Sequence, residues 1–195
     1  MQQFAAGPYV RTQRVGTEVS VGMAKHVAWM RDAAVTWSQK EEPMSVQEHK
    51  AAVEQENMEV MQTLDDAWNA QDLETFARRH KEDVVVRWPG QPPTHGIRDH
   101  RQEAIDFFKA FPDQHLDNRP YKVFFASGDW TCSIAHFTGT MTGPMKGPDG
   151  KEISPTGKRF EVDFCTVARW DNGQIVEENL FYDLVTFVKQ IGLSG

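Results

Sequence analysis

Asp183 stands where an alternating strand, Gln174 to Tyr182, runs into a short helical stretch that ends at Gln190-Ile191-Gly192-Leu193. Leu180, Phe181 and Tyr182 precede it, all apolar or aromatic. A carboxylate in such surroundings is disfavoured as an anion, so its pKa is expected to rise toward the range useful for proton transfer. An Asp at this junction also serves as a helix N-cap, here ahead of Leu184-Val185-Thr186, and both readings stand at this point. Strand parity puts Asn179, Phe181 and Asp183 on one face and Glu178, Leu180 and Tyr182 on the other.

His136 lies in the middle of another strand, Thr131 to Met145. There it is either a satisfied core or rim residue, or a group that hydrogen-bonds a substrate oxygen or orients a carboxylate. Trp88, Phe108, Phe164 and Phe181 are candidates to line a cavity, with ordinary core packing as the alternative. His95 and His100 fall on a loop and a helix start, and no His-Glu-x-x-His pattern occurs, so no metal set is expected. No Ser or Cys sits in a nucleophile setting such as Gly-x-Ser-x-Gly. What remains is acid–base chemistry without a covalent intermediate, or no chemistry at all.

The elements that must position these groups are legible in the 195-residue chain. Ser45 and Glu48 form a capping box, and the helical spacing of Val53, Asn57, Val60, Met61, Leu64, Ala67 and Trp68 predicts a long amphipathic helix through Asn69. Gln71-Asp72 caps a shorter helix with Leu73 and Phe76 turned inward. Asp83 to Trp88 reads as a strand stopped by Pro89-Gly90, and a third helix runs from about Arg98 to Phe111 with Ile105, Phe108 and Phe111 as its apolar stripe. After it come strands at Tyr121 to Ser127, Thr131 to Met145, Gly157 to Trp170 and Gln174 to Tyr182, the last two joined by the tight turn Asp171-Asn172-Gly173. Pro148-Asp149-Gly150-Lys151 is a solvated hairpin connection. Gly139, Gly143 and Gly147 relieve a bend or bulge in this reading and do not cradle a phosphate. Three helices followed by an antiparallel meander indicate an α+β domain over residues 44–195.

Composition narrows the partners. A hydrophobic content of 39% with 12 Phe and 6 Trp is enough for a core and an aromatic-lined cavity. The net charge of −7 argues against a nucleic-acid backbone as the main partner. No apolar run approaches the ~18 residues of a membrane span, and no signal-peptide core opens the chain, so a cytoplasmic protein is expected. Cys132 and Cys165 read as small buried hydrophobes in a reducing compartment. Residues 1–43 are expected to be a flexible or weakly helical extension in which Met23, Val27, Met30, Ala34 and Trp37 fall at helical spacing; a targeting segment, or a functional start at Met44 with the upstream stretch irrelevant to activity, are the other readings.

The order Gly139-Thr140-x-Thr142-Gly143, Pro155-Thr156-Gly157-Lys158, Phe160 to Trp170, Asp171-Asn172-Gly173, Ile175-Val176-Glu177, Asp183 and Gln190-Ile191-Gly192 resembles the SnoaL-like polyketide cyclases of the nuclear-transport-factor-2-like superfamily. Trp68-Asn69 and Phe111-Pro112-Asp113 extend the likeness. The resemblance implies a cone-shaped domain, with a strongly bent antiparallel sheet wrapped over three helices and enclosing a pocket, in a homodimer or higher homo-oligomer. It further implies cofactor-independent acid–base chemistry on an apolar or polycyclic carbonyl substrate, with Asp183 as the proton shuttle and pocket polar groups holding the enolate oxygen; Asn179 and His136 are the polar partners expected here. The chain departs from the family's pattern at Met141, where many members have His, and at Asn179, where many have Trp. Two other readings accompany this one: a non-catalytic member that binds a small molecule or a protein, and a lyase, isomerase or hydrolase on the same scaffold.

Overall fold

The computed structural model describes residues 44–147 and 150–193. The expectations for the N-terminal extension lie outside the described residues, as do Pro148 and Asp149 of the expected hairpin connection. Three helices come first: α1 (Val46–Asn69), α2 (Leu73–Arg78) and α3 (Ile97–Ala110). Nine strands follow or intervene, β1 (His80–Arg87), β2 (Thr94–His95), β3 (His115–Asp117), β4 (Val123–Ser127), β5 (Trp130–Thr140), β6 (Met145–Lys146), β7 (Glu152–Ile153), β8 (Arg159–Asp171) and β9 (Gln174–Phe181), and α4 (Leu184–Gln190) closes the series.

Local sequence chemistry sets these boundaries. Ser45 accepts from Glu48 N while Glu48 accepts from Ser45 N, satisfying two orphan donors at the start of α1. Asp72 caps α2 by accepting from Glu74 N and Thr75 N. The β8–β9 turn takes its shape from Asn172 and Gly173, at φ 52° and 72°, the left-handed pair that matches the twist of a two-residue hairpin.

The main sheet has the order β2-β1-β9-β8-β5-β3, with β4 also on β5. β3 pairs with the half of β5 around His136 to Thr138, and β4 with the half from Trp130 to Ile134. The sheet is not a pure meander: β1 runs parallel to β9, because the chain crosses from the helical layer before returning to the sheet. Sequence reading also missed β2 and β3, which are only two and three residues long. The predicted strand to Met145 ends at Thr140, beyond which Thr142 N and Gly143 N both donate to Ala110 O at the end of α3. A Cβ on Gly143 would lie 1.8 Å from Lys109 O, and one on Gly139 2.7 Å from the Phe160 ring. Both glycines therefore permit close approach.

The curved, open sheet packs its inner face against the helices. Val84 and Val86 from β1, Ala135 and Phe137 from β5, Phe160, Val162 and Phe164 from β8, and Leu180 from β9 point inward and are buried with Met61, Leu64 and Trp68 of α1. Aromatic rings dominate this core; Phe137 lies 5.1 Å from Phe160, which meets Phe111 edge-on at 5.2 Å. Two motifs of the family resemblance act structurally. Asn69 donates to Leu116 O and accepts from Leu116 N, both at 2.8 Å, tying α1 to β3. Asp113 accepts from the backbone and hydroxyl of Thr140, each at 2.7 Å. Cys132 and Cys165 are free and half-buried. No helix among the described residues is long and apolar enough to cross a membrane.

Candidate active site

A shift of register decides which acidic residue of β9 enters the molecule. Arg169 pairs with Glu177 but Trp170 pairs with Ile175, leaving Val176 as an extra residue, a β-bulge. Ile175 is buried, and simple alternation from it would aim Glu177 inward. The bulge instead turns Glu178 and Leu180 into the core and Glu177 and Asn179 outward.

Glu178 meets two histidines there. His80 comes from the start of β1, and His100 from the buried stripe of α3 that continues to Ala104 and Phe108. Glu178 Oε2 lies 3.3 Å from His100 Nε2 and 3.7 Å from His80 Nε2. His80 Nδ1 donates to Phe76 O at 2.8 Å, and His100 Nδ1 to Glu103 Oε2 at 3.0 Å. Glu103 also accepts from Trp88 Nε1 at 3.0 Å and from the Thr94 hydroxyl. Burial pulls the His100 imidazole down, but the two carboxylates beside it outweigh that and carry its pKa to about 9. Burial would raise Glu178, yet the hydrogen-bonding and charge of His100 and His80 hold it down to about 2.

Glu178 and His100 line a cavity of about 40 Å³, and His80 lies behind them. Asp65 of α1 and Thr166 of β8 are its other polar groups, and Trp68, Phe76, Trp88, Phe137 and Phe164 give it aromatic walls. Asp65 is buried and accepts from the Tyr121 hydroxyl at 2.6 Å. Burial pushes its pKa up to about 7, against the Tyr121 hydrogen bond and with help from the Glu178 charge. Burial and the Asp65 carboxylate push the Tyr121 phenol upward, so it remains a neutral donor. The Trp68 indole N–H is buried with no partner among the described residues.

The residues singled out from sequence distribute differently. Trp88 and Phe164 do line the cavity, with their rings 6.2 Å apart. Phe108 is buried beside it, its ring 4.7 Å from that of Trp68, and serves the core. Phe181 is 54% exposed and Asn179 faces Arg87 at 3.4 Å; both line a separate cleft of about 210 Å³ with Trp88, Leu180 and Tyr182. His136 is on the outer face of β5, paired with Glu161 at 3.2 Å and Asp163 at 3.9 Å. Asp183 requires a correction. It is exposed and caps α4, accepting from Thr186 N at 3.0 Å and the Thr186 hydroxyl at 2.6 Å. Those hydrogen bonds hold its pKa below the usual carboxylate range, the reverse of the expected rise.

Sequence reading passed over Asp65, Glu178 and His80. Asp65 carried a usable signal, being four residues after Met61 and three before Trp68 on the apolar stripe of α1. His100 carried the same signal four residues before Ala104 on α3.

No curated protein matches the chain. Among solved structures, a SnoaL-like polyketide cyclase, provisionally so described, from Jannaschia sp. CCS1 is 23% identical, with 73% of this chain and 96% of that one covered and a TM-score of 0.64. AclR from Streptomyces galilaeus, provisionally described as a hydroxylase, is 22% identical over 72% and 98% of the two chains at a TM-score of 0.60. An epoxide hydrolase of the LEH-like type from M. tuberculosis is 14% identical over 71% and 90%, at 0.53. These likenesses are of fold, and the three described activities differ. The sequence profile of the SnoaL-like polyketide cyclases matches residues 58–191, well over half of the chain, and the protein belongs to that family.

Proposed function

We propose that the protein is a small-molecule enzyme that works by proton transfer inside the cavity, with Asp65 as general base and acid. The observation that carries this reading is a buried carboxylate with a pKa of about 7 among aromatic walls. Such a group is part ionised at neutral pH, so it can take a proton from carbon and return it to the product. Tyr121 fixes its orientation through the 2.6 Å hydrogen bond. A carbonyl oxygen of the substrate would lie toward the charged His100 ring and the unpartnered Trp68 indole N–H, where developing negative charge meets positive groups. The proton-transfer role expected of Asp183 thus passes to Asp65, and the roles expected of His136 and Asn179 pass to the inward groups.

The cavity has room for about three waters by the space each needs. It suits the reacting end of an apolar carbonyl compound and not a whole polycycle. Trp88 and Leu180 border both the cavity and the 210 Å³ cleft, so the rest of the substrate would lie in that cleft, against Phe181 and Tyr182. The homo-oligomer implied by the family belongs to this reading and is checked by light scattering.

The test is exchange of α-hydrogens for deuterium in a panel of small ketones and β-dicarbonyl compounds, followed by NMR in D₂O. Wild type should catalyse exchange of at least one, and folded Asp65→Asn should lose it by a factor of about 100 or more. Retention of most exchange by that variant would remove Asp65 from the role. The non-catalytic reading is favoured by one observation, the capping role of Asp183; saturable binding of a ketone without exchange would select it.

A further inference from the structure

We propose that His80, His100 and Glu178 form a binding site for one divalent first-row transition cation at the polar end of the cavity. This deepens the reading above by naming what would hold the carbonyl oxygen; it rests on the same cavity but not on Asp65.

The hydrogen bonds on the far side of each ring carry the argument. Phe76 O and Glu103 Oε2 can only accept, so both Nδ1 atoms donate. In the neutral tautomer each Nε2 then presents a lone pair. Both face the single oxygen Glu178 Oε2, itself rich in lone pairs, at 3.3 Å from His100 and 3.7 Å from His80. The side chains of His80 and His100 are 0% and 2% exposed, so bulk water does not satisfy them. In that tautomer three acceptors are turned on one another. A proton on His100 Nε2 would pair that ring with Glu178 but leave the His80 Nε2 lone pair facing the same oxygen, 3.7 Å away. One metal ion satisfies all three at once.

The geometry fits. One ligand atom from each of the three residues lies within 4.8 Å of the other two. A tetrahedral ion about 2.1 Å from each ligand sets them about 3.4 Å apart, close to the observed 3.3 and 3.7 Å. Each ring is also held as a metal-bound imidazole is held, by a backbone carbonyl on His80 and a carboxylate on His100. Two imidazoles and one carboxylate suit Zn²⁺ and its neighbours and leave a fourth position for substrate oxygen or water.

Full-length protein stripped with a chelator is titrated with Co²⁺, then Zn²⁺. One equivalent should bind at micromolar metal, with Co²⁺ giving the intense visible absorption of a four-coordinate site and Zn²⁺ displacing it. X-ray absorption of the wild-type Zn²⁺ adduct should show two imidazole nitrogens and a carboxylate oxygen at about 2.0–2.2 Å, a result that needs no variant to fold. Glu103→Gln should weaken binding by about 10–100-fold through the ring it positions. His136→Ala, on the outer face, should bind as wild type. No binding at micromolar Co²⁺ or Zn²⁺, fewer than two imidazole ligands, or loss of the site in His136→Ala would overturn the proposal. Asp65→Asn separates this inference from the proposed function. Metal bound at full affinity with α-exchange lost supports both, loss of exchange in a protein that never binds metal sinks the site alone, and metal bound with exchange retained sinks Asp65 alone.

Discussion

Asp65→Asn should change how stability depends on pH, and the direction is fixed by the burial of the carboxyl. Its pKa is raised from 3.8 to about 7 on folding. Between those values the folded chain keeps a proton that the unfolded chain has released, so stability falls as pH rises. The favourable contribution is whole below about pH 4 and gone above about pH 7. The displacement corresponds to about 4 kcal/mol, or a shift in Tm of about 10 °C for a chain of this size. Asn keeps the shape and the acceptor for Tyr121 but has no proton to lose. Other groups titrate in the same window in both proteins, so the informative quantity is the difference between them. Urea denaturation at fixed pH from 4 to 8 measures it, provided the m-value is the same for the two. Wild type should lose about 4 kcal/mol relative to the variant across that range. Parallel curves, or a wild type that gains on the variant as pH rises, would refute a desolvated Asp65 and with it the proton-transfer reading.

Asp183→Ala should lower Tm through loss of the α4 cap, and Asp183→Asn by less, since Asn also caps; neither should reduce α-exchange in folded protein. Exchange falling in Asp183→Asn as far as in Asp65→Asn would return the catalytic role to Asp183. Gly143→Ala forces a methyl to within 1.8 Å of Lys109 O, so the loop must leave the end of α3, at a cost of about 1–3 kcal/mol in chemical denaturation. Phe160→Ala empties the centre of the aromatic core and should cost about 3–5 kcal/mol by the same measure. Trp88→Phe removes the indole donor to Glu103 at the rim of the cavity and should alter KM for any exchanged ketone more than Phe108→Leu does, which titration of the initial rate would show.

The helices were legible because their signals are local. Ser45 and Glu48 meet within one turn, Asp72 reaches only as far as Thr75, and the 3.6-residue spacing of Met61, Leu64 and Trp68 is a property of neighbours in the chain. The Asn172-Gly173 turn and the two long strands it joins are local in the same sense. The family resemblance was legible too, and part of what it rests on, Asn69 and Asp113, turns out to pin α1 and α3 to the sheet. That explains why the likeness identified the fold so well and did not single out the buried carboxylate.

Alternation along β9 separated Glu178 from Asn179 and Asp183 correctly, but the sequence has no marker for which face is the inner one. The bulge at Val176 decides that, and a bulge is a fact about two strands in register. The cluster of two histidines and one glutamate was invisible for a related reason. His80, His100 and Glu178 come from a strand start, a helix and a bulged strand, and only the parallel pairing of β1 with β9, with α3 laid across them, brings their nitrogens to one oxygen. Sequence by itself determined which segments are helix and strand, because propensity, capping and periodicity act over a few residues. Tertiary structure alone decided which charges are buried, because desolvation depends on what is packed over a group from distant parts of the chain, and that desolvation raises the pKa of Asp65 while exposed Asp183 caps its helix.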